Sequence, residues 1–316
     1  MQVFDAAATR AAIPMGELLD AVEMAFRDVT RKRDHSPLRT HVQLPTGDLL
    51  LMAGVREGSS GTSVKLVTVT PGNADRALPT VQAVVVWLDA LTGEPRAALD
   101  GTTITAMRTG AASGVATRLL ARRDARVLAM IGAGAQAPWQ VRAVLAVRTI
   151  DEVRVYAPSS ERRQDLVEVL AEDLGPSVTI RDVPDAETAV RNADVICAAT
   201  TASEPVFDAA WVATGCHING IGAYRPEMIE LPGEIFRRAA MTAVDSRTAA
   251  MAEAGDVLAA IKGGAVAERD LVELGSIDRS WAATRDPEAI TVFKSVGLAV
   301  QDVAAAEVAA RRLLAG

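Results

Sequence analysis

A chain of 316 residues that is 49% hydrophobic and 23% charged has material for one large or two ordinary domains with a full core, which excludes a disordered polymer. With 33 basic against 40 acidic residues, the net charge of -7 disfavours non-specific attraction to nucleic acid or an anionic membrane, while leaving room for a local basic pocket. Only 3% of the residues are aromatic, so aliphatic and alanine packing must fill the core.

Near the N-terminus, Leu18, Val22, Phe26 and Val29 recur at helical spacing with charges between them, which predicts an amphipathic helix over 9–31. A charged run ending in Ser36-Pro37 breaks it. The runs 39–44, 49–54, 63–69 and 81–88 are short and apolar or alternating, with turn clusters at 45–48 and 91–95. They predict an antiparallel sheet. A helix follows over 103–123, and its small residues (Gly110, Ala111, Ala112, Ser113, Gly114) permit close approach of a backbone or a ligand.

Near residue 124 the rhythm changes to alternating strands and helices. Strands are expected at 127–131, 152–157, 178–182, 195–199, 217–221 and 241–245, with helices over 160–174 and 186–192. This pattern predicts a doubly wound parallel sheet. The tail, 290–314, carries Ser295-Val296-Gly297 and then an alanine-rich helix, and is expected to return to the first domain. The fold class is therefore α/β: a Rossmann domain over 124–290, inserted into a second, α+β domain made of 1–123 and 291–316.

The strand at 127–131 runs into Gly132-Ala133-Gly134-Ala135-Gln136-Ala137, the G-x-G-x-x-A dinucleotide fingerprint. Gly132 allows the tight turn, Gly134 lets the backbone approach a pyrophosphate, and Ala137 permits close packing of helix on strand. Pro138 suits the first helical turn, whose N–H groups and dipole would hold phosphate. In this fold an acid at the end of the next strand holds the ribose 2′-hydroxyl. Here that strand ends in Ala157-Pro158-Ser159-Ser160, with Arg162 and Arg163 just beyond. Hydroxyls and cations suit a 2′-phosphate, so the expected cofactor is NADP, with NAD possible.

Outside that domain, Arg39, Lys65 and Arg108 lie in apolar or turn-rich stretches. A lysine facing the interior of a strand is costly unless paired, and burial lowers its pKa, which suits acid–base work. Arg39 and Arg108 can clamp a carboxylate bidentately. Cys197 and Cys216 do not make a disulfide framework and point to a reducing cytoplasm. No basic-then-apolar leader and no membrane-length apolar run is visible. His35, His41 and His217 lack metal-ligand spacing, so no metal is expected.

Six stretches together resemble the ornithine cyclodeaminase/mu-crystallin family over nearly the whole chain. They are Pro37-Leu38-Arg39, 64–73, Thr105 to Ser113, 132–137, Asn219 to Ala223, and Val292 to Asp302. The resemblance implies a homodimer whose first domain and tail build the substrate and dimer surface. It implies substrate contacts at Arg39, Lys65, Arg108 and Val296, and cofactor contacts at Thr80, Ala135, Gln136 and Ser295. Thr109, Gly132, Gly134, Ser159, Arg162 and Gly222 complete the expected cofactor set, and Lys65 is the expected catalytic residue.

One position departs from the cyclodeaminase pattern. Those enzymes carry a catalytic aspartate two residues after the glycine equivalent to Gly222, and here Tyr224 stands there. A phenol with a pKa near 10 does not replace a carboxylate base at neutral pH. Glu227 and Glu230 are nearby acids at the wrong spacing for direct replacement. The expected activity is reduction of cyclic ketimines, pyrroline-2-carboxylate or piperideine-2-carboxylate, to proline or pipecolate. The alternatives are an alanine or other amino-acid dehydrogenase, an ornithine cyclodeaminase, and a non-catalytic NADP-binding protein. The expected partners are a small imino or amino acid and a second copy of the chain, with neither nucleic acid nor membrane.

Overall fold

In the computed structural model of the chain, which describes residues 1–76 and 78–315, the alternating runs of the first hundred residues form a seven-stranded sheet. Its strands are β1 (Gln2–Phe4), β2 (Asp34–His35), β3 (Thr40–Leu44), β4 (Gly47–Arg56), β5 (Gly61–Val69), β6 (Val81–Asp89) and β7 (Pro95–Asp100). The order is β1-β7-β6-β5-β4-β2, with β3 also paired to β4. The pairs β3–β4, β4–β5, β5–β6 and β6–β7 are antiparallel, as expected, while β1 joins β7 in parallel. β7 follows the turn at 91–95 in a stretch to which the sequence assigns no element: Pro95 opens it, and its buried Ala97, Ala98 and Leu99 show no alternation.

The helix expected over 9–31 is instead two, Ala6–Ala11 and Met15–Thr30. Pro14 has no N–H to donate and sits at the N-cap of the second. Asp5 caps the first by accepting from the Ala8 N–H at 2.8 Å. The C-terminal helix, Ala299–Leu313, packs against Met15–Thr30 and against β4 and β5. Its alanines allow close contact: a Cβ on Gly54 would lie 2.9 Å from the Ala299 backbone. Ser63, Lys65 and Val67 are buried, and the period of two along β5 puts them on one face.

The rest of the chain builds an eight-stranded sheet, parallel throughout, in the order β10-β9-β8-β11-β12-β15-β13-β14. Here β8 is Val127–Ile131, β9 Glu152–Tyr156, β10 Thr179–Asp182, β11 Val195–Ala198, β12 His217–Gly220, β13 Ala239–Val244, β14 Leu271–Glu273 and β15 Ile290–Lys294. Leu128, Met130, Val141, Val144, Val153, Val155, Leu166 and Leu170 form part of its aliphatic core. The order reverses between β8 and β11, and open α/β sheets bind ligands at the carboxyl ends of the strands at such a point.

The chain divides into Met1–Arg108 with Leu298–Gly316, and Thr109–Gly297. The sequence places these boundaries near 123 and 291 instead. They move because β15 inserts between β12 and β13, which takes 290–294 into the parallel sheet and leaves 295–297 with the second unit. They also move because most of helix Gly101–Leu120 belongs with the second unit. Gly110 on that helix packs so closely on the start of helix Ala137–Leu145 that a Cβ would meet the Trp139 carbonyl oxygen at 2.5 Å.

Candidate active site

In the second unit the fingerprint loop leaves β8 as the spacing predicts. Gly132 adopts φ +104°, a region closed to most side chains, and a Cβ there would sit 2.6 Å from the Ala199 carbonyl oxygen. That contact draws the loops after β8 and β11 together at the switch point. A Cβ on Gly134 would meet nothing within 4 Å, so its backbone is open to a ligand. Ala137 is fully buried against the strand, whereas Ala135 is exposed. Helix Ala137–Leu145 has Pro138 in its first turn and no side-chain cap, and the buried Oε1 of Gln136 has no hydrogen-bond partner among the described residues. An uncapped helix start behind an open glycine loop fits a dinucleotide pyrophosphate.

At the end of β9, Ser159 caps helix Ser160–Leu174 by accepting from the Arg162 N–H at 3.3 Å. Arg163 donates to the Ala157 carbonyl at 2.6 Å and pairs with Asp182, so it is committed to the protein, whereas Arg162 is exposed.

Two buried carboxylates fix the loops at the carboxyl edge of this sheet. Glu230 accepts from the Thr200 N–H and hydroxyl at 2.8 and 3.1 Å, and from the N–H groups of Gly222 and Ala223 at 2.5 and 3.0 Å. Asp245 accepts from the Ser295 hydroxyl at 2.8 Å and from the N–H groups of Val296 and Gly297 at 2.9 and 2.8 Å. Behind Glu230, the buried Lys294 ammonium lies 2.8 Å from Asp256 and 3.7 Å from Glu230. Glu230 is thus a tie between the loops after β11 and β12, its oxygens taken up by four donors, so it does not supply the carboxylate missing at Tyr224. Tyr224 stacks under the Arg225 guanidinium, 5.4 Å from ring centroid to carbon.

In the first unit, Lys65 on β5 and Arg108 on helix Gly101–Leu120 meet on one carboxylate. The Lys65 Nζ lies 2.9 and 2.8 Å from the two Asp302 oxygens, and the Arg108 Nε lies 3.2 Å from Asp302 Oδ1. Arg108 also donates from Nη1 to the Gln301 Oε1 at 2.7 Å. Lys65 and Asp302 are each at most 1% exposed and Arg108 is 5% exposed. Burial pushes the Lys65 ammonium down from 10.5 to about 7; Asp302 opposes that shift, while Arg108 and, more weakly, Arg39 add to it. Lys65 and Arg108 are therefore gathered on one carboxylate, while Arg39, half-buried just before β3, acts on Lys65 only as a weaker charge. Asp302 and Gln301 have no role in the sequence reading, although a buried lysine demands an acid. Asp302 lies 237 residues from Lys65, and only the fold brings them together. Thr80, also in this unit, is half-buried and accepts from the Thr70 N–H at 2.8 Å through its carbonyl.

A cavity of about 370 Å³ is lined by Arg118, Arg123, Val147, Arg148 and Arg279. Arg148 donates there to the carbonyls of Thr117, Arg118, Ala121 and Arg122, which closes the C-terminus of helix Gly101–Leu120. The cations complement a helix end and lie near the amino-terminal edge of β8, away from the fingerprint.

A fingerprinted parallel sheet, joined to a mixed-sheet unit that gathers buried cations, defines a dinucleotide-dependent oxidoreductase. The chain belongs to the ornithine cyclodeaminase/mu-crystallin family, whose model matches residues 2–316. It is 37% identical to the Delta(1)-pyrroline-2-carboxylate reductase of Bacillus cereus, over 97% of this chain and 95% of that one. Among solved structures it resembles the Thermococcus litoralis Delta(1)-pyrroline-2-carboxylate reductase in complex with NADH and L-proline. The TM-score is 0.92 at 36% identity, covering 99% of this chain and 98% of the other. An archaeal alanine dehydrogenase dimer with bound NAD matches with a TM-score of 0.89 at 34% identity, over 99% and 96% of the two chains.

Proposed function

We propose that the protein reduces cyclic ketimines carrying a carboxylate beside the C=N bond, pyrroline-2-carboxylate foremost, to the corresponding imino acid. The observation that carries this reading is the buried cluster of Lys65, Arg108 and Asp302. Two cations share one carboxylate there, which leaves a positive charge for a substrate carboxylate to complete. Arg39 and Arg108 hold that carboxylate and so orient the imine carbon. The Lys65 ammonium gives a proton to the imine nitrogen. Val296, fixed through its N–H by Asp245, borders the substrate. A bound nicotinamide supplies the hydride to the carbon. Thr80, Thr109, Gly132, Gly134, Ala135, Gln136, Gly222 and Ser295 hold that cofactor. The pyrroline-2-carboxylate reductases among the relatives support the five-membered ring, and Tyr224 in place of a carboxylate argues against ornithine cyclisation.

The preferred cofactor is NADPH, on the strength of Ser159 and the exposed Arg162 at the end of β9, with no acid there to meet a ribose diol. The test is oxidation of NADPH and NADH with pyrroline-2-carboxylate. The expected result is turnover with a lower Kd for NADPH, and Arg162→Ala weakens NADPH about tenfold without changing NADH. Absence of turnover, together with NAD-dependent ammonia release from ornithine, overturns the reading.

The functional unit is a homodimer. The face of the first sheet opposite the C-terminal helix aligns Leu51, Leu66 and Val84 across three strands, and Leu66 is 38% exposed. Such an apolar face calls for a cover, and the alanine dehydrogenase relative is a dimer. Its thiols, Cys197 and Cys216, are both buried and unpaired, which suits a reducing cytoplasm.

A further inference from the structure

Gln301 stands in the first turn of the C-terminal helix and is fully buried. Its Oε1 accepts from the Arg108 Nη1 at 2.7 Å and from the Leu298 N–H at 3.2 Å. Both neighbours are obligate donors, so the orientation of the amide is fixed and cannot be reversed. The Nε2, with two N–H groups, is therefore turned away from both, and it has no hydrogen-bond partner among the described residues. A buried amide nitrogen without an acceptor is rare in a folded protein and calls for a specific partner.

The elements that carry Lys65 and Arg108 hold further unmet polar atoms. Ser63 Oγ, two residues before Lys65 and on the same face of β5, has no partner among the described residues; nor has Thr105 Oγ1, one helical turn before Arg108. An anion placed on Arg108 would have the lone pairs that Gln301 Nε2 lacks.

We propose that Gln301 is a substrate-binding residue, whose Nε2 donates to the carboxylate of the bound imino acid while its Oε1 holds Arg108 against the same group. This rests on the ketimine reading above. Gln301 then works in two ways. It fixes the Arg108 guanidinium, and it adds a neutral donor that recognises the carboxylate without further raising the positive charge around Lys65.

The experiment compares wild type with Gln301→Glu and Gln301→Leu in steady-state reduction of pyrroline-2-carboxylate, and measures NADPH binding by fluorescence. Gln301→Glu keeps an acceptor for Arg108 and Leu298 but puts an oxygen where the donor stood. The expected result is a KM for pyrroline-2-carboxylate raised about tenfold or more in both variants, with kcat within about threefold of wild type and the NADPH Kd unchanged. Gln301→Leu removes the donor without adding charge, so it decides the matter if the glutamate variant does not fold. An unchanged KM in an active, folded variant overturns the role of Gln301 alone, as does a fall in kcat with KM constant. A wild-type protein that does not reduce pyrroline-2-carboxylate overturns the ketimine reading, and the role of Gln301 with it.

Discussion

Replacement of Lys65 by methionine is expected to lower kcat for ketimine reduction about 10²- to 10⁴-fold, while NADPH binding stays as in wild type. Methionine fills the buried space of the lysine stem but offers no proton. It also leaves the Asp302 carboxylate balanced by Arg108 alone, so the cluster loses the positive charge that a substrate carboxylate meets. Single-turnover reduction with saturating NADPH measures the loss, and a variant that keeps more than half of the wild-type rate removes Lys65 from the chemistry. The pH dependence supplies a second reading of the same residue. The folded pKa of Lys65 is depressed to about 7, so the ammonium proposed as the proton donor is present below that pH and disappears above it. Activity of the wild type therefore falls as pH rises through about 7. Asp302 is the one group among the stated causes that favours the charged lysine, through both its charge and its hydrogen bond. Asp302→Asn consequently moves the alkaline limb to lower pH.

The fingerprint loop of the second unit is legible in the sequence because its requirements are local. Gly132 must turn with positive φ, Gly134 must stay bare, and Pro138 must open a helix; six consecutive residues and their flanks state all three. The buried cluster of the first unit is legible only as separate cations. Arg39, Lys65 and Arg108 can be picked out because charge in an apolar stretch needs a reason. The Asp302 that receives two of them comes from the far end of the chain, and nothing in the spacing names it. Glu230 is the opposite case. Its position eight residues beyond Gly222 suggests a spare acid, but burial and four donors from Thr200, Gly222 and Ala223 make it a tie between loops. Whether an acid is a base or a tie depends on which N–H groups converge on it, which pattern alone does not contain. In the same way, Pro14 splits one amphipathic pattern into two helices. β15 passes to the parallel sheet because a short apolar strand carries no mark of the sheet it will join.

Acid is expected to weaken the second unit through His217, by about 4 kcal/mol between pH 6.5 and pH 3. The imidazole is fully buried at the start of β12, with Nδ1 2.9 Å from the Thr291 hydroxyl and Nε2 3.1 Å from Asn219 Oδ1. Asn219 directs its amide nitrogen to Thr117 Oγ1 at 3.1 Å and Cys197 Sγ at 3.6 Å. Its oxygen therefore faces the ring, which sets the proton on Nε2 and leaves Nδ1 to accept from Thr291. Burial, aided by the nearby Arg285 and Arg148, pushes the His217 pKa from 6.5 down to about 3, although the bond to Asn219 pulls the other way. The unfolded chain takes up this proton below pH 6.5 and the folded chain does not until about pH 3. Stability is therefore full above 6.5 and falls as pH drops through that window. A loss of this size is a large part of the roughly 5–15 kcal/mol that holds a domain together. His217→Gln keeps a donor and an acceptor in the network but does not titrate. At pH 7 it is expected to be less stable than wild type by about 1–2 kcal/mol for imperfect hydrogen bonds. Near pH 4.5 the gap closes or reverses, since wild type alone has lost about 2–3 kcal/mol there. Urea unfolding at the two pH values measures both terms. Parallel losses in the two proteins would remove this histidine as the source of the acid sensitivity.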